Sequence, residues 1–241
     1  MGIGKEFFDL MGKIKYDFSD ISHLQTALTH SSYSNEMKKK GFRAESNESY
    51  EFLGDAVLEL IISEALFARC SKAGEGMLTK YRQSLVCEGT LARIASMISL
   101  GTYLNVGTSE ENTDVRSRPK VLADALEALI AAVYMDASAS ARLDECKVAI
   151  LGLFNKEIES VIARGNTDYK SMLQQFVEKN SGTELRYEYD ESGPEHKKSF
   201  VARAFINNNP VGEGVGKTKR AAEMQAAKNA LSLFGISGQS S

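Results

Sequence analysis

The sequence predicts two domains of unlike class, an all-α domain followed by a small α+β domain of order α-β-β-β-α. Three observations predict this. From the N-terminus to about Arg164, apolar residues recur at mixed helical spacings, punctuated by Gly74, Gly76, Gly101, Gly107 and Pro119. Around Ile162 to Thr167 the segment IARGNT loses that periodicity and gains Gly and Asn, as a short linker does. Beyond it the pattern turns to strand-like alternation between two helical stretches. The boundaries expected are 1–164 and 167–236, with a flexible tail at 237–241.

The first segment, MGIGKEFFDLMGKIK, lacks the uninterrupted apolar core of a signal peptide, and acids break the longest apolar runs, so a cytoplasmic protein that does not span a membrane is expected. The most informative helix is NESYEFLGDAVLEL, Asn47 to Leu60. It sets Glu48, Glu51 and Asp55 at i, i+3 and i+7, on one face. Phe52, Leu53, Val57, Leu58, Ile61 and Ile62 surround them, so the stretch is expected to be largely buried. No Lys or Arg lies between Arg43 and Arg69. Crowded carboxylates beside a core need a compensating cation.

A second helix repeats the pattern. PKVLADALEALIAAVYMD opens on Pro119, suited to a first helical position, and from Val121 to Met135 only Asp124 and Glu127 are charged. They face the same way on a helix whose circumference must be mostly buried. Glu51, Asp55, Asp124 and Glu127, arriving from two helices, would make an all-oxygen site for a hard cation, Mg²⁺ or Mn²⁺. The competing reading is a solvated acidic face. Two acidic pairs inside two such apolar helices are hard to reconcile with solvation.

In the C-terminal part, Asp168 to Asn180 is a helix. Leu185 to Tyr189 and Ser199 to Ile206 alternate as strands, Asn207 to Pro210 is a turn, Val211 to Val215 is a short third strand, and Lys217 to Phe234 is the closing helix. Lys217, Lys219 and Arg220 crowd the N-terminus of that last helix. Cations are disfavoured there by roughly 0.3–1 kcal/mol each, so three together point to an anion, with phosphate the natural candidate. The alternative is ordinary solubilising charge. VGEGVGKT looks like a phosphate-binding loop, but the motif needs Gly where Val211 stands and a parallel βαβ setting, so no nucleotide cofactor is expected.

The chain has 241 residues, 43% hydrophobic and 25% charged, enough for two cores. Cys70, Cys87 and Cys146 are odd in number and widely spaced, which suits reduced structural thiols. The net charge is −3, unevenly spread: from Thr167 onward 10 Lys+Arg stand against 9 Asp+Glu, leaving 19 against 23 before it. Affinity for a polyanion would therefore need a local basic patch and bridging metal ions.

NESYEFLGDAVLEL and KVLADALEALIAAVYMD resemble the signature helices of bacterial ribonuclease III, and DYKSMLQQFVEKN, GPEHKKSF and GKTKRAAEMQAAKNAL resemble its double-stranded RNA-binding domain. The likeness runs over nearly the whole chain. It implies an endonuclease domain joined to that RNA-binding domain, acting as a homodimer on double-stranded RNA, with Mg²⁺, and leaving 5′-phosphate and 3′-hydroxyl ends. It implies that Glu51, Asp55, Asp124 and Glu127 hold metal, with Asp55 and Glu127 closest to the chemistry, and that Glu48 and Glu75 are auxiliary acids. Processing of ribosomal, messenger and transfer RNA precursors in the cytoplasm follows from the same resemblance. Gln174, Gln175 and His196 would meet minor grooves, and Lys217, Lys219 and Arg220 the phosphates between them. Phe52 would be either a dimer seam or plain core, and His30 and Ser32 match a segment packed near the signature helix.

The chain departs from the family pattern at Ser49 and Tyr50, where Arg-Leu is usual, at Ala131 for Gly and at Lys217 for Ser. The Pro that often precedes the first strand is absent. None of these removes an implied ligand. Rival readings are a non-cleaving RNA-binding protein, which would be expected to lack some of the acids, and a small-molecule phosphohydrolase, which the appended α-β-β-β-α module disfavours.

Overall fold

In the computed structural model the described residues are 5–71, 73–165, 169–179, 183–192 and 198–236. They form two compact units, divided between Val161 and Ile162.

The first unit is helical: α1 (Lys5–Ile14), α2 (Ile21–Ala27), α3 (Ser31–Lys39), α4 (Glu48–Arg69), α5 (Glu75–Val86), α6 (Glu88–Met97), α7 (Pro119–Asp136) and α8 (Arg142–Gly165), with two 3-10 turns at Leu100–Tyr103 and Asp114–Ser117. Its axis is α7, which buries ten residues between Leu122 and Val133 and packs against α2, α4 and α6. Pro119 opens α7 after an extended Arg118, where its missing N–H costs nothing. Asp136 at the far end accepts from the Tyr16 hydroxyl at 2.9 Å and from the Ser19 and Asp20 amides at 2.9 and 2.6 Å, tying the α1–α2 loop to α7. One parallel bridge, Thr29 with Asn105, and the Asn47 amide on the Thr29 carbonyl hold the entry to α4.

α4 lies against α7 through a glycine. A Cβ on Gly54 would run into the Glu127 main-chain carbonyl, so the two backbones touch there and nothing larger fits. Only one side of α4 is covered: Val57, Leu58, Ile61, Ile62 and Leu66 are buried, while Phe52 is 82% exposed, Leu60 53% and Phe67 74%. The expectation of a largely buried signature helix is corrected accordingly. The apolar residues of α4 make two stripes, and α7 occupies one. Phe52 is not core of this protomer.

α8 also differs from expectation, since it continues to Gly165 through the start of the expected linker. Ile158 and Val161 are buried, at helical spacing, and Ala163 and Arg164 favour helix, so no breaker comes before Gly165. Residues 166–168 and the expected tail at 237–241 lie outside the described residues. The three cysteines are unbridged; Cys146 is buried, and that burial pushes its thiol up to about 12.

The second unit is α9 (Tyr169–Glu178), β1 (Leu185–Ser192), β2 (Ser199–Ile206), β3 (Asn209–Gly216) and α10 (Lys219–Leu233). The sheet is antiparallel in the order β1-β2-β3, and both helices share one small core with Ala202 and Ala204 of β2. The third strand begins two residues earlier than expected. Pro210 sits inside it, tolerated because β3 is an edge, and the reversal is made by Asn207 and Asn208, with Asn207 at φ 54°.

Gly212, Gly214 and Gly216, the glycines of the apparent phosphate loop, alternate along β3 and all face α10. A Cβ on any of them would strike the main chain of α10 near Ala222, Ala226 or Ala230. They are seats for a closely packed helix, which explains the motif without a nucleotide.

The Gly54 contact yields a direct expectation. Gly54→Ala should destabilise the helical unit by roughly 1–3 kcal/mol or more, because a backbone carbonyl cannot retreat as a side chain can. Denaturant unfolding of the pair measures it, and an unchanged midpoint would refute the contact.

Candidate functional site

The contact at Gly54 sets the geometry of the acids. Glu51 and Asp55 flank Gly54 on α4, and Asp124 and Glu127 lie on α7 with Glu127 carrying the touching carbonyl. Oxygens of Glu51, Asp124 and Glu127 lie within 4.8 Å of one another, all half-buried; among the described residues no other group of three or more acids, histidines or cysteines comes so close. Asp55 is exposed and stands outside this trio, although its charge acts on Glu127. Glu48 is exposed, accepts from the Ser46 hydroxyl at 2.7 Å, and adds its charge to those acting on Glu51. Glu75 is the exposed first residue of α5, favoured there by the helix dipole and not part of the trio.

Burial first, and then the charges of Asp55, Glu51 and Asp124, push the Glu127 carboxyl up to about 7. Burial and Asp124 raise Glu51 in the same way. A carboxyl pushed up by burial and then by neighbouring carboxylates is the electrostatic mark of a site short of positive charge. Its donors are carboxylates alone, which suits a hard divalent cation and not zinc.

One cation is already there. Lys120, a residue the sequence reading passed over, puts its ammonium 3.1 Å from Asp124 Oδ2. It comes from α7 itself, one turn before Asp124 and one residue ahead of the apolar run that starts at Val121.

His30 is structural. It caps α3, its Nδ1 accepts from the Ser32 amide at 3.3 Å, and Ser32 Oγ accepts from the Gly107 amide at 2.9 Å. The pair pins the segment after Leu104 onto α3. Ser49 is exposed, while Tyr50 reaches α2 and places its hydroxyl 2.6 Å from His23 Nδ1.

In the second unit Gln174 is exposed on α9 and bonded to Glu178 at 2.8 Å, and Gln175 is half-buried. Lys217, Lys219 and Arg220 are all exposed around the start of α10, whose cap is Thr218 Oγ1 accepting from the Ala221 amide. Lys219 also stands 3.3 Å from Glu191 and 5.5 Å from the centre of the Tyr189 ring. His196 lies outside the described residues.

Comparison with known proteins agrees with this division. Residues 20–152 match the family model described as Ribonuclease-III-like, and residues 169–233 match the double-stranded RNA binding motif. The chain is 44% identical over 227 residues to the Ribonuclease 3 of Caldanaerobacter subterraneus subsp. tengcongensis, covering 93% of this chain and 96% of that one. It is 41% identical over 220 residues to the Ribonuclease 3 of Borreliella burgdorferi, covering 90% and 87%. The solved nuclease domain of ribonuclease III from Campylobacter jejuni aligns with a TM-score of 0.56 and 37% identity, over 64% of this chain and 96% of that one. A second structure of that domain, described as flexible in a region involved in dimer formation, aligns at 0.55. Among the described residues no helix is long and apolar enough to cross a membrane.

The raised Glu127 has a signed consequence for stability. The folded, metal-free chain keeps a proton on Glu127 from about 4.5 to about 7, where the unfolded chain has released it, so this group subtracts stability as pH rises through 7. In EDTA, Glu127→Gln should therefore gain melting temperature relative to the parent as pH rises from about 4.5 to about 7, with the gap level above that. A gap that does not change with pH would contradict the charge crowding.

Proposed function

The chain belongs to the ribonuclease III family, and from that premise we propose that it is a metal-dependent endoribonuclease that hydrolyses phosphodiesters in double-stranded RNA, with Mg²⁺ as the working ion and Mn²⁺ as a substitute. The observation that carries the metal reading is the meeting of Glu51, Asp124 and Glu127 from two apolar helices, with Glu127 pushed up to about 7. These three would hold the ion, and Asp55, one turn beyond Glu51, would complete the set. A divalent cation bound there supplies Lewis acidity, which activates water and offsets the charge of the scissile phosphate.

The protein's own part is positional. Asp55 and Glu127 orient the attacking water with their carboxylate oxygens. The water oxygen bonds to phosphorus, the bond to O3′ breaks, and a proton reaches O3′, which leaves a 5′-phosphate and a 3′-hydroxyl. Glu48 and Glu75 act as outer acids toward the substrate.

The second unit delivers the duplex. Gln174, Gln175 and His196 contact minor grooves, and Lys217, Lys219 and Arg220 take the phosphates across the intervening major groove, so the A-form shape is read and not the sequence. The domains responsible are 1–164 and 167–236. The natural substrates are ribosomal and other RNA precursors in the cytoplasm.

A homodimer accounts for the uncovered stripe of α4. Phe52, Leu60 and Phe67 are exposed along it, beside a hollow of about 550 Å³ lined in part by Leu53, Ala56, Tyr134 and Leu143. An isologous contact presents the same stripe from both copies, and an aromatic so exposed gains most from being covered.

Asp55→Asn and Glu127→Gln should each nearly abolish cleavage of labelled duplex and leave its binding almost unchanged; full activity in either purified variant would remove that residue from the chemistry. Replacing Lys217, Lys219 and Arg220 together by Ala should weaken binding to unrelated duplexes alike and flatten the salt dependence. An unchanged salt slope would put the phosphate contacts elsewhere.

A further inference from the structure

Lys120 stands where local chemistry argues against it. It is the second residue of α7, at the positive end of the helix dipole, where a cation is disfavoured. It precedes its partner Asp124 by one turn, the less favourable order for an ion pair along a helix. Yet its ammonium lies 3.1 Å from Asp124 Oδ2 and 3.3 Å from Oδ1. Its charge acts on Glu51 and Glu127 as well, opposing the upward push on both. What holds it there is the field of the acid cluster, strong enough to outweigh two local preferences.

The pair is lopsided in exposure. The Lys120 side chain is 73% exposed and that of Asp124 25%. The ammonium is already largely hydrated and can leave for water readily, whereas the Asp124 carboxylate is more enclosed. Glu88, at the start of α6, is a further acid whose charge acts on Lys120, so the departing ammonium does not lack an anion.

We propose that Lys120 is an exchangeable counter-ion of the acid cluster: it neutralises the carboxylates of the metal-free protein and competes with the incoming divalent cation for Asp124, so that it sets the affinity of the site. The inference rests on the metal reading given above. A unit charge within several ångströms of a divalent ion, even at the dielectric of water, would oppose its binding by roughly tenfold.

The test is calorimetric titration of Mn²⁺ into the full chain and into Lys120→Met, Lys120→Arg and Glu127→Gln. Lys120→Met should bind Mn²⁺ roughly tenfold more tightly than the parent, and Lys120→Arg, which keeps the charge, should stay near the parent. Parent binding that is weakened in Glu127→Gln but equal or weaker in Lys120→Met overturns this inference alone. No saturable Mn²⁺ binding to the parent overturns the metal reading and this inference with it.

Discussion

The contact of α4 with α7 at Gly54 is the constraint on which the helical unit turns. With no side chain at that position the two backbones meet at the Glu127 carbonyl, and residues on either side of the contact have no choice but to converge. Each helix alone is an apolar segment with a few acids. Together, at a separation that only glycine permits, they make a cluster that neither would tolerate alone. The same device recurs in the second unit, where three glycines of β3 let α10 settle on the sheet. One glycine positions chemistry and the others fix the alignment of a helix whose first turn carries the basic residues.

Convergence has an electrostatic cost, and the structure shows where it falls. Glu127, buried and crowded by Asp55, Glu51 and Asp124, holds its proton to about 7, and burial and Asp124 shift Glu51 in the same direction. Lys120 offsets part of it from the outer edge. A site balanced in this way is still short of positive charge. That shortage is what a divalent ion, and behind it a phosphodiester, would satisfy.

Much of this was legible in the residues. The acids at helical spacing, the apolar helices holding them, the order of the second unit and the basic start of α10 all follow from period and residue type. Other features were not, and for physical reasons. Periodicity shows that α4 is apolar but not how many of its sides are covered, so the exposure of Phe52 required the packing to be seen. Lys120 escapes the pattern because it lies just ahead of the apolar run from Val121 to Met135, at a helix start where a cation is disfavoured, and only the packing brings it beside the acids of both helices. Pro210 suggested a turn, but an edge strand accommodates it, and the alternating glycines of β3 looked like a loop motif because their helical partner is distant in sequence. Asp55 shares the face of Glu51 in sequence, yet the crossing of the helices favours Glu51, Asp124 and Glu127 as the trio in contact.

The most direct test of the account is anomalous diffraction from crystals of the full chain soaked in Mn²⁺. The account predicts a manganese peak bonded to carboxylate oxygens of Glu51, Asp124 and Glu127, with Lys120 Nζ moved off Asp124. Data showing no peak there, with the Lys120–Asp124 pair intact under saturating Mn²⁺, would contradict it.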